Sequence, residues 1–117
     1  MASTVLKATT GLTGLAVSSN PHHSLRILYG KILRALDRYP ETSVYKQETK
    51  KLVEHRLTLV TSEPNVAKLE QKLNAGQIEE VIKQAENEAI LAKKLLDFKI
   101  WEPLVANAPP SQWKWPL

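Results

Sequence analysis

Residues 20–40, NPHHSLRILYGKILRALDRYP, decide the fold of this chain. Asn20 can accept hydrogen bonds from the free amides at a helix start, and Pro21 fits the first helical position. Apolar residues then recur at spacings of three, four and four, at Leu25, Leu28, Ile32 and Leu36. This spacing places them on one face of a helix. Because Pro40 disfavours helical backbone at the residue before it, the pattern predicts an amphipathic helix that ends near Asp37–Tyr39.

Two more helices are predicted directly downstream. The first of them runs to about Thr61, and its cap is either Thr42 or Ser43, since both side chains can accept from a free amide. A short helix is predicted next over residues 65–73. Gly76 lies just after it, and we expect this glycine to supply the left-handed conformation that ends the helix.

The second helix has one mainly apolar face and one charged face. At helical spacing the first face carries Tyr45, Thr49, Leu52, Val53, Arg56 and Val60. The other face carries mostly Lys46, Lys50, Lys51 and Glu54. This division predicts that the first set packs against the rest of the chain and that the charged set meets solvent.

The longest helix is predicted over about 77–99. Its small and apolar positions alternate spacings of four and three, at Ile78, Ile82, Ala85, Ala89, Ala92 and Leu96. The three alanines would let another helix approach closely. Glu79 and Glu80 have lysines nearby, which favours a solvated face with ion pairs over a pair of catalytic carboxylates.

Composition narrows the class of protein. A chain of 117 residues is close to one ordinary domain. It carries 16 Lys and Arg against 12 Asp and Glu, a net charge of +4, and it has no cysteine. The chain therefore supplies no disulfide, no thiolate nucleophile and no cysteine ligand for zinc or an iron–sulfur cluster. Because no stretch approaches the roughly 20 apolar residues of a membrane helix, we also expect no direct membrane span.

The sequence predicts no catalytic, cofactor-binding or metal-binding residue. His22 and His23 are adjacent and point about 100° apart on a helix, so they do not share a face as an i, i+4 metal pair would. His55 lies between Glu54 and Arg56 on a charged helix. We expect all three histidines to face solvent or a partner. No phosphate-cradling glycine motif and no nucleophile-elbow motif occurs.

The first 20 residues form an arm before the helices. No acidic residue precedes Asp37, and Ser and Thr are frequent, which is typical in part of a mitochondrial presequence. Gly11 and Gly14, however, interrupt its apolar pattern. Two interpretations follow: a cleavable presequence, or the favoured one, an arm that stays attached.

Residues 101–117, WEPLVANAPPSQWKWPL, differ from the rest of the chain. Four prolines forbid a continuous helix or a central strand, yet all three tryptophans of the protein lie here. Burying three tryptophans contributes on the order of 15 kcal/mol, whereas ordering this length of backbone costs about 17–34 kcal/mol. The tail therefore needs a surface to lie along. That surface is either its own bundle or another protein, and tryptophan's preference for interface centres favours the second.

These predictions combine into an all-α fold. We expect a small antiparallel helical bundle of three main helices and one short helix. Its parts are an N-terminal arm over 1–20, the bundle over 21–100 and an extended docking tail over 101–117.

Several fragments, in their order and spacing, resemble one known family. They are VLKATTGLTGLAV at 5–17, NPH at 20–22, LRILY at 25–29, EPNV at 63–66, GQIEEVI at 76–82, WEPLV at 101–105 and PPSQWKWP at 109–116. Each fragment alone is weak, but the whole set, with its tryptophan-bearing end, is specific. The chain resembles the B13 subunit family of mitochondrial complex I, and the likeness runs from about Val5 to Pro116.

The resemblance implies a non-catalytic accessory subunit of complex I, the NADH:ubiquinone oxidoreductase. It implies a place in the peripheral arm, on the matrix side of the mitochondrial inner membrane, without cofactors of its own. The implied neighbours are the 30 kDa iron–sulfur protein core subunit and the nucleoside-kinase-like accessory subunit. The residues carried over from the family tail as docking residues are Trp101, Glu102, Pro103, Leu104, Gln112, Trp113, Lys114 and Trp115.

Two other classes stay open at this point. One is an adaptor that resembles the LYR proteins, which recruit acyl carrier protein. Leu28 and Tyr29 match the start of that motif, but Gly30 stands where arginine should be. The other is a basic helical bundle that binds nucleic acid, although lysines and glutamates alternate and no basic stripe emerges.

Overall fold

The computed structural model describes residues 7–116, and these form four α-helices. The helices are α1 (Pro21–Leu36), α2 (Val44–Ser62), α3 (Val66–Leu73) and α4 (Ile78–Phe98). The expected all-α class is confirmed, and the helix bounds lie close to the predicted ones. Residues 1–6 of the predicted arm and Leu117 of the predicted tail lie outside the described residues.

Polar caps start the first three helices as the sequence predicts. The side chains of Asn20, Ser43 and Asn65 accept hydrogen bonds from backbone amides three residues later. Ser43, rather than Thr42, is therefore the cap of α2. A substitution of such a cap by alanine costs about 1 kcal/mol, so each cap helps to fix where its helix begins.

The end of α3 differs from the prediction in one detail. Asn74 is the left-handed residue at the C-cap, with a φ of 51°, and Gly76 follows with a φ of 89°. Asparagine tolerates this conformation because its short polar side chain can hydrogen-bond locally. Gly76 is still needed, since a Cβ there would collide with the Glu80 carboxylate that accepts from the Gln77 amide at the start of α4.

Helix α1 lies at the centre of the bundle and packs against both α2 and α4. Tyr39, just beyond α1, donates from its hydroxyl to the Ala92 carbonyl at 2.5 Å, so α1 and α4 run in the same direction. At the other end, His22 Nε2 lies 2.7 Å from the Glu63 carbonyl oxygen, which makes α2 antiparallel to α1. His22 is half-buried and contacts the bundle, whereas the sequence predicted that it would face solvent or a partner.

The core is built from the apolar faces that the sequence predicts. Its largest fully buried apolar side chains are Leu25, Ile32, Leu36, Val60, Leu69, Ile78 and Val81. Ala85 and Ala92 are also buried where α4 meets α1, which confirms that the small residues allow a close approach.

The face assignment of α2 is partly wrong. Lys46 was expected in solvent, but it is buried, and its ammonium donates to the Tyr39 carbonyl at 3.1 Å and to Glu41 at 2.6 Å. Leu52 was expected in the core, but it is 53% exposed. The buried residues of α2 are Lys46, Val53 and Val60, so the stripe that faces the core lies to one side of the predicted face.

Glu79 also departs from the expectation of a solvated face. It is only 4% exposed, and the Lys7 ammonium of the arm lies 2.8 Å from its carboxylate. Lys7 donates to the Gln77 side chain at 2.6 Å as well, and Gln77 donates in turn to the Thr10 carbonyl at 2.7 Å. The described part of the arm is therefore attached to the start of α4.

Substitution of Lys7 by alanine is expected to lower the free energy of unfolding by about 1–2 kcal/mol. The change leaves the buried Glu79 carboxylate without its cation, and the partial exposure of Lys7 keeps the loss moderate. Lys51→Ala is the matched control, because its ion pair with Glu48 is exposed and 3.7 Å long. Urea unfolding measures both variants, and equal losses would contradict the role of Glu79.

A second ion pair joins the end of α2 to α3 and predicts a pH dependence. The Lys72 ammonium donates to the Glu63 carboxylate at 2.9 Å, and this contact, with the Asn65 amide, holds the pKa of Glu63 below its ordinary value of 4.5. The unfolded chain lacks both contacts, so it binds the proton at higher pH. The stabilisation is therefore complete above about pH 4.5 and is lost as the pH falls through the lower pKa of the folded state.

Glu63→Gln should accordingly lower the free energy of unfolding at pH 7. The difference in this free energy between the variant and the unchanged chain should shrink below pH 4.5. Lys72→Met should have a similar effect. In the double variant the two losses should not add, because both remove the same contact. Urea unfolding at pH 7 and pH 3 measures this, and additive losses would contradict the pairing.

None of the helices in residues 7–116 is long and apolar enough to cross a membrane.

Candidate docking surfaces

The start of the tail packs on the bundle. Lys99 caps α4 in the left-handed conformation, with a φ of 52°, and the Glu102 amide donates back to the Lys99 carbonyl at 3.0 Å. This turn brings Trp101 edge-on to Tyr39, with the ring centres 5.5 Å apart. Trp101 is half-buried against the core, so it anchors the point where the tail leaves the bundle.

The rest of the described tail, over 102–116, is exposed. Trp113 is 84% exposed and Trp115 is 89% exposed, values that are unusual for such large apolar side chains. Within this part of the chain the backbone closes two local turns, from Gln112 to the Pro109 carbonyl and from Lys114 to the Ser111 carbonyl. The tail therefore presents its aromatic side chains outwards from a locally folded end.

The structure divides the predicted docking residues into two groups. Trp101 contacts the chain's own bundle through Tyr39. The others are free at the surface, namely Glu102, Pro103, Leu104, Gln112, Trp113, Lys114 and Trp115. The second group is available to a partner without moving the bundle.

A second surface was not recognised from the sequence as a site. Helices α2 and α4 both pack on α1, their backbones stay apart from each other, and an open groove of about 580 Å³ remains between them. We call it the α2–α4 groove. Leu52 from α2 and Leu91 from α4 line it, and they are 53% and 42% exposed. The sequence feature that could have indicated this groove is the spacing of residues 45, 49, 52 and 56 on α2. These residues form a stripe beside the one that faces the core.

One end of the α2–α4 groove is fixed by a hydrogen bond between its walls. The Tyr45 hydroxyl donates to the Glu88 carboxylate. Burial, and then this contact with Glu88, raise the pKa of Tyr45 well above its ordinary value of 10.0. The phenol therefore stays protonated at neutral pH and remains a donor.

Chemistry-bearing side chains do not gather elsewhere in the described chain. Residues 7–116 contain no group of three or more His, Asp or Glu side chains that could hold a metal ion. His22 contacts a backbone carbonyl at the end of α2, and His55 is exposed on that helix. The arrangement suits binding of other proteins through an exposed aromatic tail and an open groove between helices.

The fold and its surfaces define a class of protein, a small all-α bundle with candidate docking surfaces. A family model described as "ETC complex I subunit conserved region" matches residues 14–80. The chain is 53% identical over 113 residues to NADH dehydrogenase [ubiquinone] 1 alpha subcomplex subunit 5 of Bos taurus, covering 97% of both chains. It is also 50% identical over 111 residues to the probable subunit 5 of Caenorhabditis elegans, covering 95% of this chain and 74% of that one. This chain belongs to the family of NADH dehydrogenase [ubiquinone] 1 alpha subcomplex subunit 5.

The likeness extends to a plant protein, at lower identity. The probable mitochondrial subunit 5 of Arabidopsis thaliana is 32% identical over 96 residues, which cover 82% of this chain and 57% of that one. The comparisons give no support to the two alternatives left open by the sequence, the acyl-carrier-protein adaptor and the nucleic-acid-binding bundle.

Proposed function

We propose that this chain is an accessory subunit of mitochondrial complex I, without a catalytic site of its own, which supports assembly and stability of the enzyme. The observation that carries this proposal is the 53% identity to the bovine subunit 5, over 97% of the length of both chains. The proposed location is the peripheral arm, on the matrix side of the mitochondrial inner membrane.

The proposed mechanism is that the tail joins the bundle to neighbouring subunits. The bundle supplies a rigid body, and Trp101 holds the base of the tail against it. Beyond this anchor, Trp113 and Trp115 offer large apolar surfaces whose burial would favour binding by several kcal/mol. The tail would thus link the bundle to another subunit and resist its loss from the peripheral arm.

The neighbours we propose are the 30 kDa iron–sulfur protein core subunit and the nucleoside-kinase-like accessory subunit, as the family resemblance implies. Lys114 lies between the two exposed tryptophans and carries an amine at the surface, which suits lysine-directed cross-linking. In the assembled enzyme we expect cross-links from Lys114 to one of these two subunits. Cross-links to other subunits alone would contradict the assignment of neighbours but not the role of the tail.

Depletion of the chain from cells tests the proposed role in assembly. We expect less assembled complex I and less NADH dehydrogenase activity per mitochondrion, with both restored when the full chain is expressed again. The activity per assembled complex should stay unchanged, because the catalytic groups are proposed to lie in other subunits. An unchanged amount of assembled complex would contradict a role in assembly or stability.

A further inference from the structure

The walls of the α2–α4 groove have the spacing by which helices meet one another. On α2 the groove lining includes Tyr45, Thr49, Leu52 and Arg56, at steps of four, three and four, with Val53 beside them. On α4 it includes Gln84, Glu88 and Leu91, at steps of four and three, with Ala85 and Asn87 beside them. Such alternation presents a continuous stripe to one neighbouring helix, as in coiled coils and four-helix bundles. The three long helices therefore leave the fourth position of a bundle open.

The length of the groove sets the size of its occupant. From Tyr45 to Arg56 the wall of α2 extends about 16 Å at the helical rise per residue. A helix that fills this length needs about three turns. Leu52 and Leu91 lie within the groove and would contact an apolar side chain, since both are substantially exposed in the chain alone.

Unmet polar groups indicate the charge of the occupant. The Tyr29 hydroxyl lies at the floor of the groove, is buried, and has no hydrogen-bond partner within residues 7–116. Arg56 lies beside it, where its guanidinium approaches the phenol oxygen and makes a weak contact with Gln84 at 3.4 Å, and within residues 7–116 it forms no ion pair with a carboxylate. A buried hydroxyl without an acceptor costs about 1–3 kcal/mol, and an arginine without a carboxylate favours one nearby. One carboxylate from outside would pair with Arg56 and, by drawing the guanidinium aside, could also accept from the Tyr29 hydroxyl beneath it.

We propose that the α2–α4 groove binds an amphipathic helix of another complex I subunit, about three turns long, with an apolar face and an acidic side chain that reaches Tyr29 and Arg56. This proposal rests on the proposed function, because it places the chain among other subunits. The chain's own tail is a poor occupant. Pro103, Pro109, Pro110 and Pro116 leave no more than five consecutive residues between them, too few for a helix of three turns.

Photo-cross-linking in the assembled enzyme tests the proposal. Benzoylphenylalanine replaces Leu91 in one variant and Ile90 in another. Ile90 is the matched control because it is the neighbouring residue on the same helix, is 54% exposed, and lies outside the groove. We expect position 91, and not position 90, to cross-link one helical segment of another subunit. That segment should have apolar residues at i, i+3 or i+4, and i+7, and an Asp or Glu on the same face.

Several results would overturn the proposal. They are cross-links from position 91 to residues 102–116 of the same chain, to a second copy of this chain, or to an extended or wholly basic segment. The absence of any protein cross-link at position 91 would overturn it too. Because the variants are examined in the assembled enzyme, incorporation of the chain is seen separately. If the variant is incorporated normally but gives no such cross-link, the groove proposal alone is refuted. If the chain without any substitution is not found in the purified enzyme, the proposed function is refuted.

Binding of a synthetic peptide that spans the cross-linked helix gives the energetic test on the full chain. We expect Leu91→Lys to weaken binding about tenfold or more and Ile90→Lys to change it less than about twofold. Tyr29→Phe should weaken binding about threefold to tenfold, and only when the peptide keeps its acidic residue. If Tyr29→Phe has the same effect on a peptide in which that residue is alanine, the carboxylate part of the proposal is wrong. Circular dichroism should confirm that each variant stays helical.

Discussion

Replacing Trp113 and Trp115 together with alanine is expected to release this chain from complex I while leaving its helices intact. Both side chains are more than four-fifths exposed, so the isolated bundle loses almost no packing when they are removed. At an interface, one such tryptophan commonly contributes 2 kcal/mol or more. The double variant should therefore bind its partner at least about 30-fold more weakly.

The measurement is the ratio of the chain to a core subunit in purified enzyme, with circular dichroism of the isolated chain beside it. Val105→Ala is the matched control, because Val105 lies fully exposed in the same tail but outside the predicted docking residues. We expect the control to stay at the normal ratio. Retention of the double variant at that ratio would refute docking through the tail, whereas loss of its helical signal would show that the tryptophans stabilise the bundle instead.

Ile32→Ala is expected to lower the free energy of unfolding by about 2–5 kcal/mol. Ile32 is 1% exposed on α1, the helix that both α2 and α4 pack against, so its removal leaves a cavity shared by three helices. A chain of this length has a total stability of about 6–17 kcal/mol, so the loss is a large fraction of it.

Ile27→Ala provides a control of the same residue type on the same helix. Ile27 is 44% exposed, and its truncation should cost less than about 1 kcal/mol, because it creates little cavity. Urea unfolding followed by circular dichroism gives both values. Equal losses for the two variants would contradict the central position of α1.

Local signals in the sequence were sufficient to predict the helices. Asn20, Ser43 and Asn65 each cap the helix that follows, and the apolar spacing of 25, 28, 32 and 36 correctly places the core face of α1. These features depend on neighbours within about four residues, so they can be read without knowing the fold. The left-handed Asn74 was missed because Gly76, two residues later, is the more usual residue for that conformation.

The charged residues were less predictable, because their partners lie outside the helix that carries them. Glu79 is buried against Lys7, 72 residues earlier, and Lys46 reaches the Tyr39 carbonyl across the turn between α1 and α2. Helical spacing alone predicted that Glu79 and Lys46 would each lie on a solvated face. The long aliphatic part of a lysine can line a buried surface while its ammonium finds an acceptor, and nothing local in the sequence reveals that acceptor.

The candidate docking residues were predicted by resemblance and composition, while the α2–α4 groove was not. From helical spacing, residues 45, 49, 52 and 56 of α2 belong to one broad face that also includes Val53 and Val60. Only the arrangement of three helices separates this stripe from the core, because the open groove between α2 and α4 leaves it uncovered. The groove is thus a property of the assembled bundle rather than of any one helix.

The most direct test of the central claim is a native gel of detergent-solubilised mitochondria, probed for this chain and stained for NADH dehydrogenase activity. An accessory subunit of complex I should migrate with the large active band, and it should stay there after a high-salt wash. Migration of the chain only as a small species, away from the active band, would contradict its assignment to complex I.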